Sequence, residues 1–253
     1  MNDLSTLRIG AVPFSNGLPL SYYLPEFLTG PSVIQAVPSQ LGPMLARGEL
    51  DVAMLSAIEL KRHPEYSFIP AMGVCSDGPV RSVMLWTRRH PSELARVALD
   101  ANSLSSTMMT RILFREFWKT TPEFVAYTPP LKNGLQIADA ALTIGDSSFV
   151  DAPDGAVECV DLGLVWKELT GLPFVYAAWI TREGIDPIAI AGPFQQAMEK
   201  GLKHRRALAE LCVQKGGTQS ADFYFHYMTE SIQYPIGERE LAGLERYLAW
   251  ADV

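Results

Sequence analysis

The stretch "RVALDANSLSSTMMTRILF", residues 96–114, decides how the rest of the chain is read. It opens as a β-run, Arg96–Asp100, and passes through small polar residues into a helical pattern. Met108, Met109, Ile112, Leu113 and Phe117 recur at helical spacing and predict a buried face, with Arg111, Arg115 and Lys119 on the other side. A strand feeding straight into a helix is the repeating unit of an α/β fold. The spacing starts the helix near Ser103 to Ser106, where one serine is enough to cap it, contributing about 1 kcal/mol. Ser103, Ser105 and Ser106 are therefore in surplus. Hydroxyls beside free N–H groups at the positive end of a helix dipole suit a carboxylate or phosphate. Capping is the competing reading, and the surplus favours an anion site.

The same rhythm extends in both directions. Upstream, residues 7–14, 32–37, 51–56, 66–74 and 81–87 read as strands, with a short helix through Leu45 capped by Ser39. Downstream, residues 123–128, 140–145, 157–163 and 174–180 continue the pattern. Mostly parallel sheets covered by helices are expected. From Pro187 onward the apolar stripes are helical throughout, as in Phe194, Ala197, Met198, Gly201 and Leu202. Those helices need a sheet to cover, and returning to the first unit is the simplest solution. The outline is thus discontinuous: residues 1–88 and 180–253 form a larger α/β lobe, and residues 89–179 a smaller one. A cleft between lobes joined by two crossings is the natural ligand site.

Composition narrows the function classes. Hydrophobic residues make up 48% of the 253 residues and charged ones 19%, ordinary for a globular protein. A net charge of -7 argues against a general nucleic-acid-binding face. No window approaches the roughly 20 apolar residues of a membrane span, and the N-terminus lacks the pattern of a secretory signal. Cys75, Cys159 and Cys212 are far apart and form no metal or disulfide motif, which points to the cytosol. His63, His90, His204 and His226 show no metal spacing and read as surface or structural residues.

The remaining candidates lie where strands end, the place where open α/β sheets bind ligands. "VPFSNGLP" offers Asn16, and taken alone Ser15-Asn16-Gly17 reads as a turn. Ser56 follows the third strand and reads first as a helix cap, with Glu59 completing a capping box. Ser82 interrupts an apolar strand face. Gly145 permits close backbone approach. Asp146 is balanced between a turn residue and a carboxylate facing the cleft.

"VPFSNGLP", "GELDVAMLSAIE", "GPVRSVMLW", "SLSST", "ALTIGD" and "DLGLVWKELTGLPFVYAAW" occur in this order, and the tail reads "IQYPIGERELAGLERYL". Together they resemble the chorismate dehydratase family of menaquinone biosynthesis, the futalosine pathway, over nearly the whole chain. The resemblance implies a two-lobed, periplasmic-binding-protein-like type II fold with the ligand cleft between lobes. It implies chorismate as the small carboxylate substrate and loss of water to give 3-[(1-carboxyvinyl)oxy]benzoate, without metal or organic cofactor. By position, the family's cleft residues fall on Asn16, Ser56, Ser82, Ser103, Ser105, Ser106 and the Gly145-Asp146 pair. Asn16 and Asp146 are the expected catalytic residues, with a substrate carboxylate as the other candidate proton acceptor. Asp100 stands where a threonine is expected and should turn away from the cleft.

Other readings share the fold. The sister enzyme making 1,4-dihydroxy-6-naphthoate should carry a cleft histidine as base. A solute-binding protein should carry an export signal. The sensor domain of a transcription regulator should follow a helix-turn-helix segment. A homodimer through the larger lobe is compatible with the sequence, and nothing in it demands one.

Overall fold

The computed structural model describes residues 4–30, 33–150 and 158–252. Ser32 and Val157, at the edges of two expected strands, lie outside the described residues. Eleven strands are formed among the described residues: β1 (Ile9–Ala11), β2 (Val33–Gln35), β3 (Val52–Ser56), β4 (Ser67–Ser76), β5 (Val83–Thr87), β6 (Arg96–Asp100), β7 (Glu123–Tyr127), β8 (Ala140–Ile144), β9 (Glu158–Asp161), β10 (Phe174–Thr181) and β11 (Gln233–Pro235). They make two sheets, ordered β11-β4-β10-β3-β1-β2 and β7-β6-β8-β5-β9.

Both sheets are mixed, which corrects the expectation of mostly parallel pairing. β1 runs parallel to β2 and β3, and β6 parallel to β7 and β8. β10 lies antiparallel to both β3 and β4, and β5 antiparallel to both β8 and β9. These two strands are the first that the chain forms after each crossing between the sheets. A chain entering a sheet from the side where the parallel strands end must run against them. The sequence reading gave residues 81–87 to the first lobe and 174–180 to the second. Strand pairing instead places β5 in the five-stranded sheet and β10 in the six-stranded one. We propose that the lobes divide between Ser76 and Val83 and between Asp161 and Phe174.

The C-terminal region is not wholly helical. Helices Pro187–Lys203, Arg205–Gln214 and Ala221–His226 are followed by a π-turn, Tyr227–Ser231, and then β11. β11 pairs with β4 at the sheet edge, where Pro235 ends it without breaking a ladder inside the sheet. Three residues ending in proline carry too little pattern to read as a strand. The last helix, Glu238–Trp250, packs near β10, and Phe194 meets Trp179 edge to face at 5.1 Å, so the tail does return to the first sheet.

Asp51, just before β3, ties the end of that sheet remote from the strands' carboxyl termini. Its carboxylate accepts hydrogen bonds from the Arg8 backbone and guanidinium and from the Arg182 guanidinium, at 2.8–3.0 Å. Burial raises the pKa, but the bonds from the two arginines outweigh it and hold the carboxyl at about 2, below its ordinary 3.8. A depressed carboxylate stabilises the fold above its unfolded pKa, and that contribution is lost as pH falls through the folded value. Stability followed by circular dichroism should therefore drop between about pH 4 and pH 2. Asp51→Asn should lower stability at neutral pH and flatten that acid limb.

Candidate active site

A cavity lies between the two sheets, beyond the carboxyl ends of their parallel strands. Asn16, Ser56, Ser82, Ser103, Ser105, Ser106 and Gly145 all line it. Apolar walls come from Val12, Phe14, Met54, Val74, Val83 and Ile144. Asp146, the eighth expected residue, is not among the lining residues. Among the described residues that line the cavity only Tyr176 titrates, and burial pushes that phenol well above its ordinary range.

The helix that opened the sequence reading spans Ser105–Glu116. No side chain caps it; Leu104 occupies the cap position. The serines are thus not needed for capping, and the first-turn N–H groups keep no carbonyl ahead of them. Ser103, Ser105 and Ser106 are buried and turned to the cavity. The Ser105 hydroxyl accepts the Ile58 N–H at 3.3 Å across the two lobes, and Tyr247 donates to the Ser105 carbonyl at 3.1 Å. On the helix's other face Phe114 is buried while Phe117 is 38% exposed, reversing the expectation for Phe117. Phe114 packs instead against Trp118 and Phe124.

Two further capping expectations fail in the same way. The helix after β3 begins at Glu59 with Ile58 at its cap, so Ser56 is left facing the cavity. The helix Pro38–Ala46 is entered from Val37 with proline at its first turn, so Ser39 caps nothing. Proline is pre-organised for the first helical position and starts the helix one residue ahead of Ser39.

Asn16 sits in a 3-10 turn, Ser15–Gly17, closed by the Gly17 N–H on the Phe14 carbonyl at 3.0 Å. The turn and the site are one feature. The Ser15 N–H donates to the Asp146 carboxylate at 3.2 Å and the Ser15 hydroxyl donates to it as well. Burial raises the Asp146 pKa and the two bonds from Ser15 oppose it. Asp146 thereby ties the segment after β8 to the turn that carries Asn16. Gly145 has φ +55°, a conformation that side-chain-bearing residues rarely adopt, and a Cβ there would meet only ordinary contacts with Phe14. Glycine is required for the dihedral rather than for close approach. Asp100 does turn from the main cavity: its carboxylate accepts the Asn102 N–H at 2.9 Å, and burial raises its pKa.

Several contributors were not legible in sequence. Asn102 lines the cavity beside the serines. Tyr227, fully buried in the π-turn, donates to the Ser82 hydroxyl at 2.7 Å. Asp161 caps the helix Leu162–Thr170 through Gly163 and Leu164 N–H and also accepts Val80 and Arg81 N–H, at 2.7–3.1 Å. It therefore holds the crossing that delivers Ser82.

A family model for menaquinone biosynthesis matches residues 7–252. The chain belongs to this family. It is 29% identical to the chorismate dehydratase of Thermus thermophilus, covering 94% of this chain and 93% of that one. It is 23% identical to the chorismate dehydratase of Campylobacter jejuni, over 94% and 95% of the two chains. Among solved structures, a protein from Archaeoglobus fulgidus superposes with a TM-score of 0.74 at 15% identity, covering 96% of each chain. The periplasmic aliphatic sulphonate binding protein of Escherichia coli superposes with a TM-score of 0.64 at 14% identity, over 96% and 85%. The fold is that of the periplasmic binding proteins. No helix among the described residues is long and apolar enough to cross a membrane.

Asp161→Ala removes a helix cap and leaves two crossing N–H groups without their acceptor. It should cost roughly 2–3 kcal/mol in urea unfolding. A loss under about 0.5 kcal/mol, the size of an ordinary surface substitution, would mean that Asp161 does not hold the crossing.

Proposed function

We propose that the protein is a cytoplasmic chorismate dehydratase, a lyase that forms 3-[(1-carboxyvinyl)oxy]benzoate. The observation that carries this reading is the chemistry of the cavity: apolar walls, hydroxyl and amide donors, and no charged side chain lining it among the described residues. Such a site takes a flat dianionic ring by hydrogen bonds and a helix N-terminus rather than by ion pairs. The names of the two curated relatives support it.

In this reading Ser103, Ser105 and Ser106 hold one carboxylate with the first-turn N–H groups of their helix. Ser56 and Ser82 orient the ring and its second carboxylate. Elimination breaks the C–H bond at the ether-bearing carbon and the neighbouring C–O bond, and the leaving hydroxide takes up a proton to become water. Aromatisation drives the reaction, so the protein supplies orientation and hydrogen bonds to the departing oxygen. Asn16 donates to that oxygen. Asp146 lies behind Asn16 and is engaged by Ser15, which favours the substrate's own enolpyruvyl carboxylate as proton acceptor. Asp146 keeps a part in catalysis by fixing the Asn16 turn.

The test is to mix the purified protein with chorismate and follow substrate loss and product mass. Turnover should proceed with loss of one water. Asn16→Ala should lower kcat by about 100-fold or more with a small change in KM, because the lost bond belongs to the transition state. Asp146→Asn should retain measurable turnover with an unshifted pH profile; complete loss, or a vanished acidic limb, would restore Asp146 as the base. Binding of chorismate without turnover would favour a solute-binding role, which the binding-protein neighbours make the second reading. The sister dehydratase-pathway enzyme is disfavoured, since no histidine lines the cavity among the described residues.

A further inference from the structure

Ser82 is the cavity hydroxyl whose direction the protein itself sets. A serine hydroxyl has one proton and can accept through its lone pairs. Tyr227 donates to Ser82 Oγ at 2.7 Å, so that oxygen is an acceptor toward the protein. Among the described residues the Ser82 hydroxyl donates to no protein acceptor. Its backbone is pinned as well, because its carbonyl accepts the Gly145 N–H at 2.8 Å. Ser82 is 2% exposed and lines the cavity. The direction left for its proton is the cavity.

The donor cannot easily turn away. Tyr227 is fully buried, and Phe149 packs edge to face against its ring at 4.9 Å. Burial raises the phenol pKa far beyond the neutral range, and contacts with Ser82 and Asn16 only partly oppose this, so the group stays protonated. Tyr227 also begins a π-turn, a local distortion of helical register that often marks a functional site. The turn that carries Asn16 packs against the same π-turn.

We infer that Tyr227 is a positioning residue that makes Ser82 an obligate hydrogen-bond donor to the bound ligand. The subsite at Ser82 therefore accepts a carboxylate, ether or hydroxyl oxygen and discriminates against a group that can only donate. This deepens the chorismate reading by naming the group that sets the polarity of one subsite.

A double-mutant cycle tests it, using the wild-type protein, Tyr227→Phe, Ser82→Ala and the double variant. The first readout is thermal unfolding, which does not depend on the substrate's identity. Ser82→Ala strands a buried phenol proton, so it should lower Tm, and adding Tyr227→Phe should recover part of the loss. No recovery would overturn the pairing. The second readout is kcat/KM with chorismate. Tyr227→Phe should lower it about tenfold, and should have no further effect in the Ser82→Ala background. Independent losses, or full activity in Tyr227→Phe, would overturn the positioning role. If the wild type fails to turn over chorismate, the functional reading falls, while the Tm cycle still decides the pairing.

Discussion

The carboxylate of Asp161 carries a constraint that runs through the whole site. It accepts four N–H groups, two from the crossing at Val80–Arg81 and two from the first turn of its own helix. Arg81 adopts φ +62°, which costs a non-glycine residue roughly 1–2 kcal/mol. Hydrogen bonds to a charged acceptor, each contributing about 1.5–3 kcal/mol, are strong enough to hold it there. Ser82 follows immediately. Its carbonyl fixes the Gly145 N–H, Asp146 follows Gly145, and Asp146 holds Ser15 beside Asn16. One line of hydrogen bonds therefore runs from β9 in one sheet to the Asn16 turn after β1 in the other.

That line exists because of the way the chain crosses. The parallel strands of both sheets end at the cavity, and loops after those ends supply Asn16, Ser56, the serine helix and Gly145. A chain passing between the sheets must leave and enter at the same side, so β5 and β10 run against their neighbours. The crossing then lies at the cavity itself. Ser82 and Tyr176, each near the start of a returning strand, line it for this reason.

The α/β rhythm, the return of the C-terminal tail and most cavity residues were legible because they rest on local pattern. Strand Arg96–Asp100 and the helix after it are where periodicity puts them. Strand direction was not legible, because Val83–Thr87 and Phe174–Thr181 read the same whichever way they run. Caps misled for a physical reason: serines at Ser39, Ser56 and Ser103–Ser106 match a capping pattern, yet proline and backbone geometry end the helices without them. Phe114 and Phe117 exchange burial because the helix packs Phe114 toward Phe124, a long-range contact invisible to spacing. Tyr227 is fully buried, like any core aromatic. Only the distance to Ser82, 145 residues away, sets it apart.

A cavity that none of the described charged side chains lines, in a protein of net charge -7, has a consequence for catalysis on the proposed reading. Substrate and aromatic product carry the same two carboxylates. Interactions with those groups bind ground state, transition state and product alike, and so cannot by themselves accelerate the elimination. Lysines or arginines around the carboxylates would tighten the product as much as the substrate and slow its release. Hydroxyls and a helix terminus hold the anions more weakly. That leaves discrimination to the donors facing the departing oxygen, where charge appears only as the C–O bond breaks. The proposed reaction then asks two things of the site: modest grip on the carboxylates, and one or two donors whose direction is imposed from behind. Asp146 behind the Asn16 turn and Tyr227 behind Ser82 are such backings, and neither Asp146 nor Tyr227 is among the residues that line the cavity they serve.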